Sequence, residues 1–137
     1  MKELVVFLTL IVLVVICHAE RPSQKCRREL KTEEECILHC EYKHYRFTDD
    51  QFRLNADQRG DFRNIMRRYG AIRVDQESQL DKHLKKCANK VAKTPATSRK
   101  DKCRKISRYY HCAVDNKLFK YNDYANAIIK YDKTINV

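Results

Sequence analysis

The sequence predicts an all-α, compact, disulfide-bridged domain of about five to six helices, and three observations predict it. Apolar residues recur at helical spacing over most of the chain, with almost no alternating run of the kind that marks a strand. Only two glycines and two prolines interrupt 137 residues, and no repeat or low-complexity linker divides them. Of seven cysteines, one falls in an apolar N-terminal segment. The six that remain are an even set in a chain small enough to benefit from covalent help.

Residues 1–19, MKELVVFLTLIVLVVICHA, join a lysine at position 2 to an apolar run from Leu4 to Cys17 broken only by Thr9, then a small residue, Ala19. That is the pattern of a secretory signal peptide. The run falls short of the ~20 residues a bilayer-spanning helix needs. Cleavage after Ala19 would leave residues 20–137 as one secreted domain with no transmembrane segment. It would also remove Cys17, so that Cys26, Cys36, Cys40, Cys87, Cys103 and Cys112 read as three disulfides.

Taking the elements in order, TEEECILHC places Thr32 and Glu35 at capping-box spacing and predicts a helix from about Glu33 to His44. DFRNIMRRYG sets Phe62, Ile65, Met66 and Tyr69 on one face, with Gly70 where a left-handed C-cap is wanted. The next helix should run from about Gln76 to Lys93, burying Leu80, Leu84, Cys87 and Val91, and Thr94 and Pro95 should end it before the polar loop TPATSRKD. CRKISRYYHC continues as a helix with Cys103, Ile106 and Tyr110 on one side and Cys112 almost opposite Cys103. Nine helical steps separate those two cysteines by roughly 13 Å, beyond the ~7 Å a disulfide allows, so each must reach a different segment. The last helix is YNDYANAIIKY, with Tyr124, Ala127, Ile128 and Tyr131 as its apolar set.

Cys36, Cys40 and His44 sit at helical ligand spacing, and His111 abuts Cys112, so zinc must be weighed. No two-residue cysteine knuckle is present, and an oxidising compartment takes thiols into disulfides first. No metal and no cofactor is therefore expected. His39, His44, His83 and His111 read as half-buried helix residues. A ribonuclease-type enzyme would need two histidines and a lysine converging on one phosphate. Nothing in the spacing requires that, and the expectation is a non-enzyme.

The net charge is +11 and unevenly spread. Between residues 82 and 108 stand Lys82, Lys85, Lys86, Lys90, Lys93, Arg99, Lys100, Lys102, Arg104, Lys105 and Arg108, against the single acid Asp101. The first five fall on one arc of about 140°, opposite the apolar stripe. A merely solvated face would interleave acids, because like charges four apart cost roughly 0.2–0.5 kcal/mol per pair. These eleven form the candidate site for a polyanion, where each cation that meets a phosphate or sulfate releases a condensed counterion. Nucleic acid would be bound without sequence specificity. Tyr109 and Tyr110 could stack on bases, although at helical spacing tyrosines more often serve the core or its rim.

Three residues separate Cys36 from Cys40 and eight separate Cys103 from Cys112. In a helical secreted chain these gaps resemble the insect odorant-binding superfamily. That resemblance implies an odorant-binding-protein-like domain over residues 20–137 with first-to-third, second-to-fifth and fourth-to-sixth bridges: Cys26 with Cys40, Cys36 with Cys103, Cys87 with Cys112. ERPSQKCRREL, CRKISRYYHC and LFKYNDYANAIIKYDKTINV are further similar to the small odorant-binding-like salivary proteins of blood-feeding sand flies. This implies a secreted salivary anticoagulant that binds polyphosphate, heparin-like glycans or dextran-sulfate-like surfaces and so blocks contact activation of factor XII and factor XI; a monomer is expected. The alternative is a carrier or scavenger of an amine, lipid or odorant. Only nine residues separate Cys26 from Cys36, too few for the long first helix that covers a lipophilic cavity in the odorant carriers.

Overall fold

The computed structural model describes residues 20–137, so the candidate signal segment 1–19, with Cys17, lies outside the described residues. Among these there is no strand and no helix long and apolar enough to cross a membrane. The helices are α1 (Pro22–Glu29), α2 (Ile37–His44), α3 (Ala56–Arg68), α4 (Glu77–Ala92), α5 (Arg99–Val114) and α6 (Tyr121–Asp132), with single 3₁₀ turns at Glu34–Cys36 and Val74–Gln76.

Proline opens α1, where its missing N–H costs nothing, and Cys26 on the inner face bonds Cys40 of α2 with 5.7 Å between Cα atoms. α2 begins later than the capping-box reading predicts. The Thr32 and Glu35 box does not form. Glu35 instead turns its carboxylate to Lys100 and Arg104 of α5, at 2.6 and 3.7 Å. Residues 34–36 wind as a 3₁₀ turn whose last residue, Cys36, bonds Cys103 with the Cα atoms 4.9 Å apart.

α3 starts before its apolar periodicity does, because Asn55 caps it. The Asn55 side chain accepts from Asp57 N at 3.0 Å and Gln58 N at 3.4 Å, and Gln58 Oε1 accepts from Asn55 N at 3.2 Å. Gly70 at φ +80° ends the helix as its position predicts, with Ala71 N donating to Met66 O at 2.8 Å and Gly70 N to Arg67 O at 3.1 Å. Only a residue without Cβ adopts that angle freely. α4 buries Leu80, Leu84, Cys87, Ala88 and Val91, and the Ser98–Asp101 box starts α5. The short link between α4 and α5 makes them an antiparallel hairpin. Cys87–Cys112 bolts the pair, 5.7 Å between Cα atoms, while Cys36–Cys103 fixes the other side of α5 to the 3₁₀ turn. The three bridges are those the odorant-binding pattern implies.

Inside, Tyr42, Tyr45, Phe47, Phe62, Met66, Leu84, Ile106 and Tyr109 are all almost completely buried, the ring-rich centre being closed by Tyr124. Each such side chain contributes about 1.5–3 kcal/mol by leaving water. The phenols satisfy one another or a carboxylate: Tyr42 and Tyr124 share a hydrogen bond of 2.9 Å, and Tyr45 donates to Asp132 at 2.8 Å. Asp132 also accepts from Ser23 N at 3.0 Å and Ser23 Oγ at 2.6 Å, tying α6 to α1. Aromatic rings occupy the middle of the fold, and four grooves among the described residues open at its surface.

Candidate polyanion-binding face

α4 sorts its charge by side. Glu77 and Asp81 face α3, where Arg67 lies 2.9 Å from Glu77 and Arg63 3.6 and 3.9 Å from Glu77 and Asp81. Lys82, Lys85, Lys86, Lys90 and Lys93 are exposed on the opposite side, with Asn89 among them. Among the described residues none of the five has a carboxylate within the 4.0 Å of an ion pair. The row is rigid, since the stripe beneath it is core and Cys87 is cross-linked.

Arg108 of α5 extends the row. It lines, with Lys86 and Lys90, a groove of about 570 Å³ between α4 and α5 that also takes in His83, His111 and Asp115. His83 donates from Nε2 to the Cys112 carbonyl at 2.7 Å, which orients its ring across the hairpin. These three were not among the site residues read from the sequence. His83 and His111 carry no signal toward the site by themselves; only the Cys87–Cys112 pairing places them together.

The other basic residues of the stretch do not join this face. Arg99 pairs with Glu33 at 3.2 Å, Lys100 with Glu35 at 2.6 Å, and Arg104 lies 3.7 Å from Glu35 and 3.9 Å from Asp101. The Lys100 hydrogen bond, first of several causes, holds the Glu35 carboxyl below the usual range. Lys102 sits 5.9 Å from the Phe52 ring centre, and Lys105 borders a separate groove with Phe52 and Leu54. The eleven candidates therefore divide into six that enter no ion pair among the described residues, an acid-paired set of three, Lys102 over the Phe52 ring, and Lys105 on the groove that Phe52 lines.

Tyr109 is 1% exposed and its phenol is pushed far up by burial, so it belongs to the core and offers no base a face. Tyr110 is half-buried against Tyr42 and Tyr124, and burial, then Tyr121, push it up to about 12. The histidines are less uniform than the helical spacing predicts. His39 is buried, bonded through Nε2 to the Asp49 carbonyl at 3.0 Å and lowered in pKa chiefly by burial, whereas His111 is exposed. Among the described residues two clusters have ligand spacing for a metal, Cys26 with Cys40 and His44, and His83 with Cys87 and Cys112. Both are built on disulfide sulfurs, which have no thiolate to offer.

The model of the PBP/GOBP family matches residues 18–116. The chain belongs to the PBP/GOBP family. Within it the chain is similar to Ayaconin of Lutzomyia ayacuchensis, 38% identical over 133 residues that cover 96% of this chain and 91% of that protein. It is also similar to Salivary protein 15a and Salivary protein 15b of Phlebotomus duboscqi, at 34% over 132 residues and 35% over 129, each covering 91% of both chains. Two of these relatives are named as salivary proteins, and this PBP/GOBP chain has a binding-protein fold whose centre is filled with its own side chains.

Proposed function

We propose that this PBP/GOBP protein is secreted in saliva and binds anionic polymers through the α4 lysine row and Arg108, denying those polymers to the contact activation of factor XII and factor XI. The observation that carries the reading is the row itself: Lys82, Lys85, Lys86, Lys90 and Lys93 face solvent and form no ion pair among the described residues, beside the Cys87–Cys112 bridge that holds α4. A preorganised array loses less entropy on binding than a flexible tail, and every phosphate or sulfate neutralised releases counterions. Two relatives carry "salivary" in their names, which supports the site of secretion. The carrier reading has less support, because aromatic side chains fill the volume an interior ligand would need.

The experiment is calorimetry of the mature protein against long-chain polyphosphate at two salt concentrations, beside two clotting assays. Affinity should fall steeply with salt. Clotting started by an anionic surface should be delayed and clotting started by tissue factor should not, since only the first needs a polyanion template. Equal delay of both, or inhibition of an isolated protease without polyanion, would reject the reading.

A further inference from the structure

The groove between α4 and α5, unlike the lysine row beside it, contains a carboxylate. Lys86, Lys90 and Arg108 give it positive charge, His83 and His111 face the same space, and Asp115 lines it with them. Asp115 takes part in no ion pair among the described residues, and it is exposed at the end of α5. Across the hairpin His83 spends Nε2 on the Cys112 carbonyl, which fixes its ring at the wall of the groove. Lys86 and Lys90 belong both to this groove and to the open row, so one extended anion can run from one to the other.

A lone carboxylate in a cationic groove repels any fully ionised anion. It attracts an anion that still has a proton to give. Sulfate esters have none near neutral pH, whereas a terminal phosphate loses its second proton at about pH 6 and so can keep one under mild persuasion. Its P–O–H donates to the carboxylate while its other oxygens accept from Arg108, in the bidentate geometry a guanidinium provides, and from the lysines.

We propose that the α4–α5 groove is a subsite for a terminal phosphate group, the end of a phosphate chain, and that Asp115 selects it over sulfate. The proposal deepens the polyanion reading and rests on it: the lysine row holds the body of the chain, the groove its end. An inorganic phosphate chain and a nucleoside polyphosphate share this terminal group, and the ATP arm of the experiment tells them apart.

The test is calorimetry of the mature protein near pH 7 in two buffers of different protonation enthalpy. The probes are inorganic tripolyphosphate, ATP and sucrose octasulfate, with dextran sulfate as the polymer control. Both phosphate probes should bind with more net proton uptake than the octasulfate, whose sulfate esters have no proton to keep near neutral pH. Asp115→Asn should remove that excess and tighten octasulfate by about threefold, the effect of deleting one like charge a few ångströms away, without tightening tripolyphosphate. Arg108→Gln, which leaves the end of α5 unaltered, should weaken tripolyphosphate by about tenfold and abolish the same excess. Equal tightening of both probes by Asp115→Asn, or no excess uptake in the wild type, would overturn the proposal. So would binding of ATP without binding of tripolyphosphate, which would move recognition to the nucleoside. Binding of dextran sulfate but not tripolyphosphate would overturn the phosphate subsite and leave the polyanion reading standing; binding of neither would reject both.

Discussion

α3 and the outer side of α4 are both rich in cations, and they put them to different use. On α3, Arg63 and Arg67 lie against Glu77 and Asp81 of α4, Arg59 donates to the Leu54 carbonyl at 2.8 Å, and Arg68 covers Tyr69 at 5.8 Å. Those charges are spent within the molecule. On α4 the acids all lie on the α3 side and the lysines on the other, so positive potential accumulates at one surface and cancels at the next. Counting basic residues therefore does not locate a site. What sets the α4 lysines and Arg108 apart from the α3 arginines is that they enter no ion pair among the described residues.

The comparison breaks first, and by the largest margin, under charge reversal. Changing Lys82, Lys86, Lys90 and Arg108 to glutamate should abolish polyphosphate binding at physiological salt and flatten the log-log salt slope by about three, the sum of four contacts at 0.7 to 0.9 each. Circular dichroism should stay helical, since the three lysines and Arg108 point to solvent. A slope that does not change would place binding elsewhere.

Rigidity comes next. The Cys87–Cys112 bridge closes a loop of sequence separation 25, for which removal of the cross-link by serine at both positions should cost about 3.5 kcal/mol in denaturant melts. If the groove depends on this bolt, polyphosphate affinity should fall as well, at temperatures where the variant is still folded. Unchanged affinity would show that the lysine row acts without α5.

On the α3 side the same kind of reversal should have the opposite signature. Arg63→Glu with Arg67→Glu sets like charges against Glu77 and Asp81 and should cost roughly 1 kcal/mol of stability, in keeping with partly exposed pairs. Polyphosphate affinity should fall only through the lower net charge. An affinity loss matching that of the α4 variant would mean that binding follows total charge, not the unopposed row.

The smallest effect sharpens the contrast from the acid side. Glu41 is 14% exposed, and burial raises its pKa against the Arg27 guanidinium, 3.6 Å away, which lowers it. A folded-state pKa above the unfolded one gives stability that is fully present below the unfolded value and is lost as pH rises through the folded value. Glu41→Gln should therefore melt a few degrees above the wild type at pH 7, and the gap should close below about pH 4. A gap of constant size across pH would assign the effect to packing.

Much of the scaffold is legible in the chain because its causes are local. The Leu80, Leu84, Cys87 and Val91 stripe is buried as its periodicity predicts, and Gly70 takes the positive φ its place after Tyr69 predicts. Asn55 and Gln58 stand at capping-box spacing and do form the box, whereas Thr32 and Glu35 stand at the same spacing and do not. The difference lies outside both segments. Glu35 has Lys100 and Arg104 within reach, and a charged partner from another helix outcompetes a backbone N–H.

The sequence by itself determined the helical class, the buried stripes, the even set of cysteines and the excess of positive charge between residues 82 and 108. Tertiary structure alone decided which of those charges remain available. Glu33 and Glu35 are far from Arg99, Lys100 and Arg104 along the chain, and the Cys36–Cys103 bridge brings them together. His83 and Asp115 meet Arg108 only because Cys87 and Cys112 hold α4 against α5. Periodicity is a property of neighbours in sequence, whereas Coulomb interaction depends on distance in space, and the disulfides set that distance.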